Sequence, residues 1–241
     1  MSISRIYDDP EIRAALRGVY PILNVYPETD VHALLDWATR LPEAGIKMVQ
    51  LRVKRIDDAA VPEILDDITG NLKGAGMRVI LNDYVELVRI TGADGLHLGL
   101  DDFPIVEARA MLGPRSIIGA TCRHHAEALM AVGQGATYVA AGSIYPSSTK
   151  TSAPVIGLAG LRDVIEHIDL EAPKRDGWGR RNNVPVCAIG GINKDNVREV
   201  YDAGASMVAV VDAIQNAKHP VKAARELMVA WDRAETGAAT G

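Results

Sequence analysis

Aromatic side chains are scarce in this chain: they make up 5 % of its 241 residues and include one Phe. Its core must therefore be aliphatic, and parallel sheets buried on both faces are built from such residues. Cysteine is scarcer still. Cys122 and Cys187 lie far apart and have no metal-ligand spacing, so they read as free thiols and not as a disulfide or zinc framework. An excess of positive charge is also missing. The 26 Lys and Arg against 31 Asp and Glu leave a net charge of −5, which argues against a nucleic-acid partner but leaves room for a local basic site for a small anion. No apolar run approaches the length needed to cross a bilayer. The opening MSISRIYDDPE has no apolar stretch of the signal-peptide kind. The expectation is a cytoplasmic protein with neither membrane nor nucleic acid as partner.

What is present is an ordinary globular balance, 48 % hydrophobic and 24 % charged. The length suits one α/β barrel, although it alone would also permit two small domains. Short β-branched runs at 19–25, 47–51, 78–81, 95–98, 116–119, 138–141, 185–189 and 207–211 read as eight strands. Between them, stretches with apolar residues at helical spacing cover 31–41, 59–72, 85–91, 105–112, 125–132, 158–168, 195–203 and 221–231. Eight strand–helix units in one chain predict an α/β fold of the closed (β/α)8 TIM-barrel type, not an open doubly wound sheet. Gly45, Gly76, Gly92, Gly135 and Gly204 each fall between a helix and the next strand, where a left-handed residue ends a helix. A short helix at 10–16 is expected to cap the barrel floor. A polar, basic stretch at 171–183 reads as a surface insertion before strand seven. Residues 1–235 are expected to form the single domain and 236–241 a flexible tail, with fraying from just after Trp231.

In such barrels chemistry gathers at the carboxyl ends of the strands. After strand two, alternation puts Gln50, Arg52 and Lys54 on one side of the chain. Two cations and an amide suit a diphosphate; the plain alternative is a solvated basic edge. Asn82 and Asp83 follow strand three, and Asp101 and Asp102 follow strand four. Carboxylates converging from neighbouring loops suit Mg²⁺. Each is equally readable as a helix cap, Asp83 through its spacing to Glu86 and Asp102 just ahead of Phe103-Pro104. After strand six comes the hydroxyl-rich loop 142–151, either a phosphate wrap or a flexible polar loop. Gly190-Gly191 after strand seven and Val211-Asp212 after strand eight occupy the usual phosphate slot of these barrels, and the glycine pair would equally make a tight turn. His97 at the end of strand four reads first as a hydrogen-bonded core residue.

Taken in order, the segments QLRVK, LNDYVEL, ADGLHLGLDD, YVAAGSIYPSSTKT, VPVCAIGGI and ASMVAVVDAI resemble thiamine phosphate synthase over about residues 19–214. The resemblance implies a (β/α)8 barrel that joins 4-amino-2-methyl-5-pyrimidinylmethyl diphosphate to 4-methyl-5-(2-hydroxyethyl)thiazole phosphate, with Mg²⁺ as cofactor. It implies that Gln50, Arg52, Lys54 and Asn82 hold the pyrimidine diphosphate, with Thr121 near it, and that Asp83 and Asp102 hold Mg²⁺. Lys150 would touch the diphosphate, and Ser147 and Thr149 would face the thiazole phosphate. Gly191 and the backbone of Val211 and Asp212 would complete that second site. Arg52, Lys54 and Lys150 would be the catalytic cations. A homo-oligomer is compatible with such a chain.

Three positions depart from the family pattern. Leu100 replaces an amide, Thr121-Cys122-Arg123-His124 replaces a shorter Ser-x-His and adds a cation, and Asp212 stands where Ser is common. A carboxylate facing a phosphate repels it, so either the Asp212 side chain turns away or the pocket prefers another ligand. Three other readings stay open. One is a thiazole tautomerase-like isomerase without diphosphate or metal, another a sugar-phosphate lyase or isomerase with a Schiff-base lysine, and the third a non-catalytic barrel that binds a thiamine precursor.

Overall fold

A computed structural model of the chain describes residues 6–147, 154–172 and 184–237. Eight parallel strands close into a barrel in chain order: β1 (Gly18–Val25), β2 (Met48–Val53), β3 (Arg78–Asn82), β4 (Gly95–Leu98), β5 (Ile117–Cys122), β6 (Tyr138–Gly142), β7 (Val186–Ile189) and β8 (Met207–Val210). The seam is made by β8 pairing with β1, Gly18 opposite Met207 through Pro21 opposite Val210. Around the barrel run α2 (Val31–Ala38), α3 (Val61–Gly74), α4 (Val85–Ile90), α5 (Ile105–Leu112), α6 (His125–Gln134), α7 (Gly157–Glu171), α8 (Val197–Asp202) and α10 (Pro220–Thr236). Two short helices stand apart from this ring, α1 (Pro10–Ala15) before the first strand and α9 (Asp212–Gln215) after the last.

The hydrophobic pattern explains the layering. Every residue of β1 is buried, as a strand covered on both faces must be. In α3 the buried Val61, Leu65, Ile68 and Leu72 recur at helical spacing and face the sheet. They belong to one large cluster between sheet and helices, which takes in Leu51, Val53, Leu81, Leu98 and Trp231. A second cluster fills the barrel interior. In it Ile6, Tyr7, Ile12 and Leu16 of the amino-terminal segment pack under Met48, Ile80, Ile117, Cys187 and Met207. Helix α1 thus plugs the floor, as expected, and the Tyr7 hydroxyl donates to the Thr137 carbonyl at 2.6 Å.

All eight strand windows hold strands. The five glycines expected at helix ends all have positive φ; at Gly135 (φ 107°) the N–H turns back to the Ala131 and Val132 carbonyls. Two boundaries differ clearly from the expectation. The helix expected over 31–41 stops at Ala38 and a 3-10 turn (Leu41–Ala44) follows. Pro42 has no N–H to donate to the Ala38 carbonyl four residues back, and its ring crowds that carbonyl. At the other end, fraying does not start after Trp231. Helix α10 runs on through Thr236, because Ala234 is buried and Arg17 pairs with Glu235. Residues 238–241 lie outside the described residues, and so does most of the expected 171–183 insertion, whose first residue ends α7.

Close packing in the barrel leaves no room for a side chain at several strand glycines, Gly95, Gly119 and Gly142 among them. Gly119 of β5 pairs with Tyr138 of β6, and a Cβ at Gly119 would lie 2.1 Å from Tyr138 Cζ. The buried tyrosine ring has no room to retreat. Gly119→Ala is therefore expected to lose about 1–3 kcal/mol of stability, measured as a fall in the urea midpoint at unchanged slope.

Candidate active site

A cavity of about 670 Å³ opens at the carboxyl ends of the strands. Ile22 and Asn24 of β1, Arg52 of β2, the 99–102 loop, Thr121 and Arg123 after β5, and the loops after β6, β7 and β8 line it. Closure of the sheet collects these distant segments on one rim.

The β2 trio rises through this end of the barrel as alternation predicts, but at three heights. Gln50 is lowest, 2 % exposed, and its Nε2 donates to the Tyr20 hydroxyl at 3.1 Å. Arg52 stands above it in the cavity wall, with Nη1 donating to Asn24 Oδ1 at 3.1 Å. Lys54 reaches Asp83 Oδ2 at 3.2 Å near the rim. Gln50 joins a buried polar chain. Its partner Tyr20 is hydrogen-bonded to Tyr138 (3.1 Å), Tyr138 to His97 Nδ1 (3.0 Å), and His97 Nε2 to Thr121 Oγ1 (3.1 Å). His97 is thus the core residue of its first reading, yet it connects to the cavity through Thr121. Burial pushes the Tyr20 and Tyr138 phenols above their ordinary range, so both stay protonated.

The capping alternative for the two acids does not hold. Helix α4 is preceded by Tyr84 and α5 by Pro104, and neither start receives a side-chain cap. Asp83 instead adopts φ 70°, a left-handed backbone that Asp tolerates better than most residues. Its carboxyl meets that of Asp102, whose Oδ2 accepts from the Gly99 N–H at 2.5 Å. Burial, the hydrogen bond to Asp102 and that group's charge all raise the Asp83 pKa, and Lys54 pulls it the other way. Two hard carboxylates held together against their own repulsion are a donor set that fits a divalent cation. Asn82, buried at the end of β3, lies directly beneath this pair in the chain.

On the far side of the cavity the β6 and β7 loops interlock. The Ile144 and Tyr145 N–H groups donate to the Ile189 and Gly190 carbonyls at 2.9 and 3.0 Å. Gly190 (φ 105°) and Gly191 (φ 64°) admit this approach, since a Cβ on Gly190 would strike Ser143 Oγ and one on Gly191 the Pro146 carbonyl. The glycine pair therefore makes a tight turn and lines the cavity at once. Ser147 also lines it; Thr149 and Lys150 lie outside the described residues. Val211 and Asp212 close the wall where α9 begins. The Asp212 question is resolved in part, because Asp212 Oδ1 accepts from Asn216 Nδ2 at 2.7 Å and so turns along its own helix.

Sequence reasoning missed Asn24 and Gln215. The Gln215 side chain accepts from the Asn24 N–H at 2.8 Å and donates to its carbonyl at 2.7 Å, pinning α9 to the end of β1. A polar residue inside an otherwise apolar strand run was the available signal for Asn24. Gln215 gave none.

Residues 19–214 match the family model described as thiamine monophosphate synthase. Among curated relatives, the thiamine-phosphate synthase of Thioalkalivibrio sulfidiphilus is 37 % identical over 90 % of this chain and 96 % of its own. That of Anaeromyxobacter dehalogenans is 36 % identical over 94 % of each. A solved thiamine phosphate pyrophosphorylase from Pyrococcus furiosus superposes with a TM-score of 0.74 at 31 % identity, over 92 % of this chain and 98 % of that one. A 3-hexulose-6-phosphate synthase structure, 19 % identical with a TM-score of 0.63, shares the fold. With a matching family model that spans most of the barrel and relatives matched over nearly their whole length, the chain belongs to the thiamine monophosphate synthase family.

Proposed function

We propose that this barrel is a Mg²⁺-dependent thiamine phosphate synthase (EC 2.5.1.3). In the reaction, the thiazole phosphate nitrogen takes the place of diphosphate on the methyl carbon of the aminopyrimidine. The observation that carries the reading is the Asp83–Asp102 carboxyl pair, with Asp83 bonded to Lys54 and Asp102 lining the same cavity as Arg52. Family membership supplies the two substrate classes.

The aminopyrimidine ring can stabilise positive charge on its methyl carbon, so the C–O bond can break before the new C–N bond forms. The protein's task is then to stabilise the departing anion. Arg52, with one guanidinium nitrogen held by Asn24, keeps the rest of its fork for diphosphate oxygens. Lys54 adds a point charge, and Lys150 is the third proposed cation. Asp83 and Asp102 would hold Mg²⁺, which when bound supplies positive charge to the diphosphate. Gln50, Asn82 and Thr121 are proposed for the pyrimidine end; Gln50 acts from below, by holding Tyr20. Ser147, Thr149, Gly191 and the backbone of Val211 and Asp212 are proposed for the thiazole phosphate. The attacking nitrogen has a free lone pair, so no general base is required. What remains is to hold the two substrates in line.

Purified protein given both substrates and Mg²⁺ is expected to form thiamine phosphate, read by mass spectrometry, and to stop when the ion is chelated. No product, or product undiminished by chelation, would overturn the assignment. Arg52→Ala is expected to lower turnover about 10²–10³-fold while changing the KM for the thiazole phosphate little, in steady-state assays with each substrate varied. Asp83→Asn is expected to act in opposite directions on two readouts. The Asp83 pKa is raised in the fold, so its ionised form costs stability once the pH passes that value, and Asn also tolerates φ 70°. The ion-free variant should therefore melt higher, by on the order of 1 °C, while losing the stabilisation that added Mg²⁺ gives the parent.

A further inference from the structure

We infer that His125, Asp163 and His167 form a site for a borderline divalent transition ion of the Zn²⁺ kind. It lies on the outer wall of the barrel between α6 and α7, apart from the Asp83–Asp102 pair. His125 is the first residue of α6. Asp163 and His167 are four apart on α7 and so share one face. One ligand atom from each of the three lies within 4.8 Å of the others. His125 Nδ1 is 2.7 Å from Asp163 Oδ2, and His167 Nδ1 is 3.5 Å from Asp163 Oδ1. Ligand atoms on a tetrahedral ion with ordinary Zn–N and Zn–O bonds sit roughly 3.3 Å apart. The ligand atoms need to shift by on the order of 1 Å to reach that spacing, and His167 Nδ1, which also meets the Asp163 carbonyl at 2.9 Å, gives up that contact or the ring ligates through Nε2.

The donor set selects the ion. Two imidazoles and one carboxylate suit zinc, nickel, cobalt or copper, whereas Mg²⁺ and Ca²⁺ want oxygen throughout. The two rings are stacked, 3.8 Å between centroids and 11° between planes. Two imidazolium ions in that arrangement would repel one another, but two neutral rings and a carboxylate carry a single negative charge that a dication compensates. The side chains keep 39 %, 43 % and 31 % of their surface exposed, so an ion can enter directly and water can complete its coordination. A bound ion would tie α6 to α7, the helices that follow β5 and β6.

The test uses the full chain free of any histidine tag and stripped of metal, titrated with ZnCl₂ in a calorimeter. Visible absorption of added Co²⁺ reports tetrahedral coordination. The expected result is one zinc per chain, undisplaced by excess Mg²⁺. At free zinc 100-fold above Kd the unfolding midpoint should rise by about 5–10 °C. His125→Ala and His167→Ala should each weaken zinc binding at least about tenfold, and Asp83→Asn should leave it in place. Circular dichroism checks each variant's fold. Asp163→Asn, which keeps the side-chain volume, should show the same loss if an alanine variant folds poorly. Failure of the parent chain to bind zinc stoichiometrically, or zinc affinity within about threefold of the parent in the folded variants, would overturn the site.

Discussion

Everything in this molecule depends on the seam where β8 hydrogen-bonds back to β1. An open sheet of the same strands would leave two unpaired edges and scatter the strand ends along a line. Closure removes the edges and bends that line into a ring, so Arg52, Asp102, Thr121, Gly191 and Asp212 come to face one space. It also encloses an interior that must be filled. The chain fills it with the amino-terminal segment from below and with Tyr20 and Tyr138 in the middle. Three tyrosines, Tyr7, Tyr20 and Tyr138, thus supply bulk where a wide cylinder needs it.

Against that rigid background the rim accepts local costs. Asp83 takes a backbone conformation few side chains tolerate, and burial together with the neighbouring Asp102 carboxyl raises its pKa. A helix start stood available for each acid, and neither serves one. Costs of this kind persist where the surrounding structure imposes them, which is why they gather at functional sites. Asp212 shows the opposite economy. The family departure that threatened a phosphate site is moderated by Asn216, which engages one carboxylate oxygen along α9.

The architecture was legible because each of its signals is short-range. Eight apolar runs, the helical spacing between them and glycines at the turns needed no knowledge of neighbours in space. The side of β2 that carries Gln50, Arg52 and Lys54 was legible for the same reason. Their heights were not, since alternation says which way a side chain faces and nothing about how deep it lies. The choice between capping and pairing for Asp83 and Asp102 was likewise closed to sequence reasoning. The spacing from Asp83 to Glu86 looks the same whether the carboxyl turns to its own helix or across to the next loop. Helix α9 has four residues, too few for any periodicity, and with it went Gln215 and the clamp on Asn24.

Two arrangements of hydrogens satisfy the buried polar chain beneath the cavity. Gln50 Nε2 donates to the Tyr20 oxygen, and in the bond between Tyr20 and Tyr138 either hydroxyl serves as the donor. With Tyr138 giving its hydrogen to His97 Nδ1, the imidazole carries its proton on Nε2 and Thr121 receives it; with Nδ1 protonated and donating to Tyr138, Thr121 gives its own hydrogen to Nε2. The tautomer of His97 and the position of the Thr121 hydrogen are therefore set together. A ligand that takes up the Thr121 hydrogen from the cavity side would thereby select the tautomer of a histidine inside the barrel.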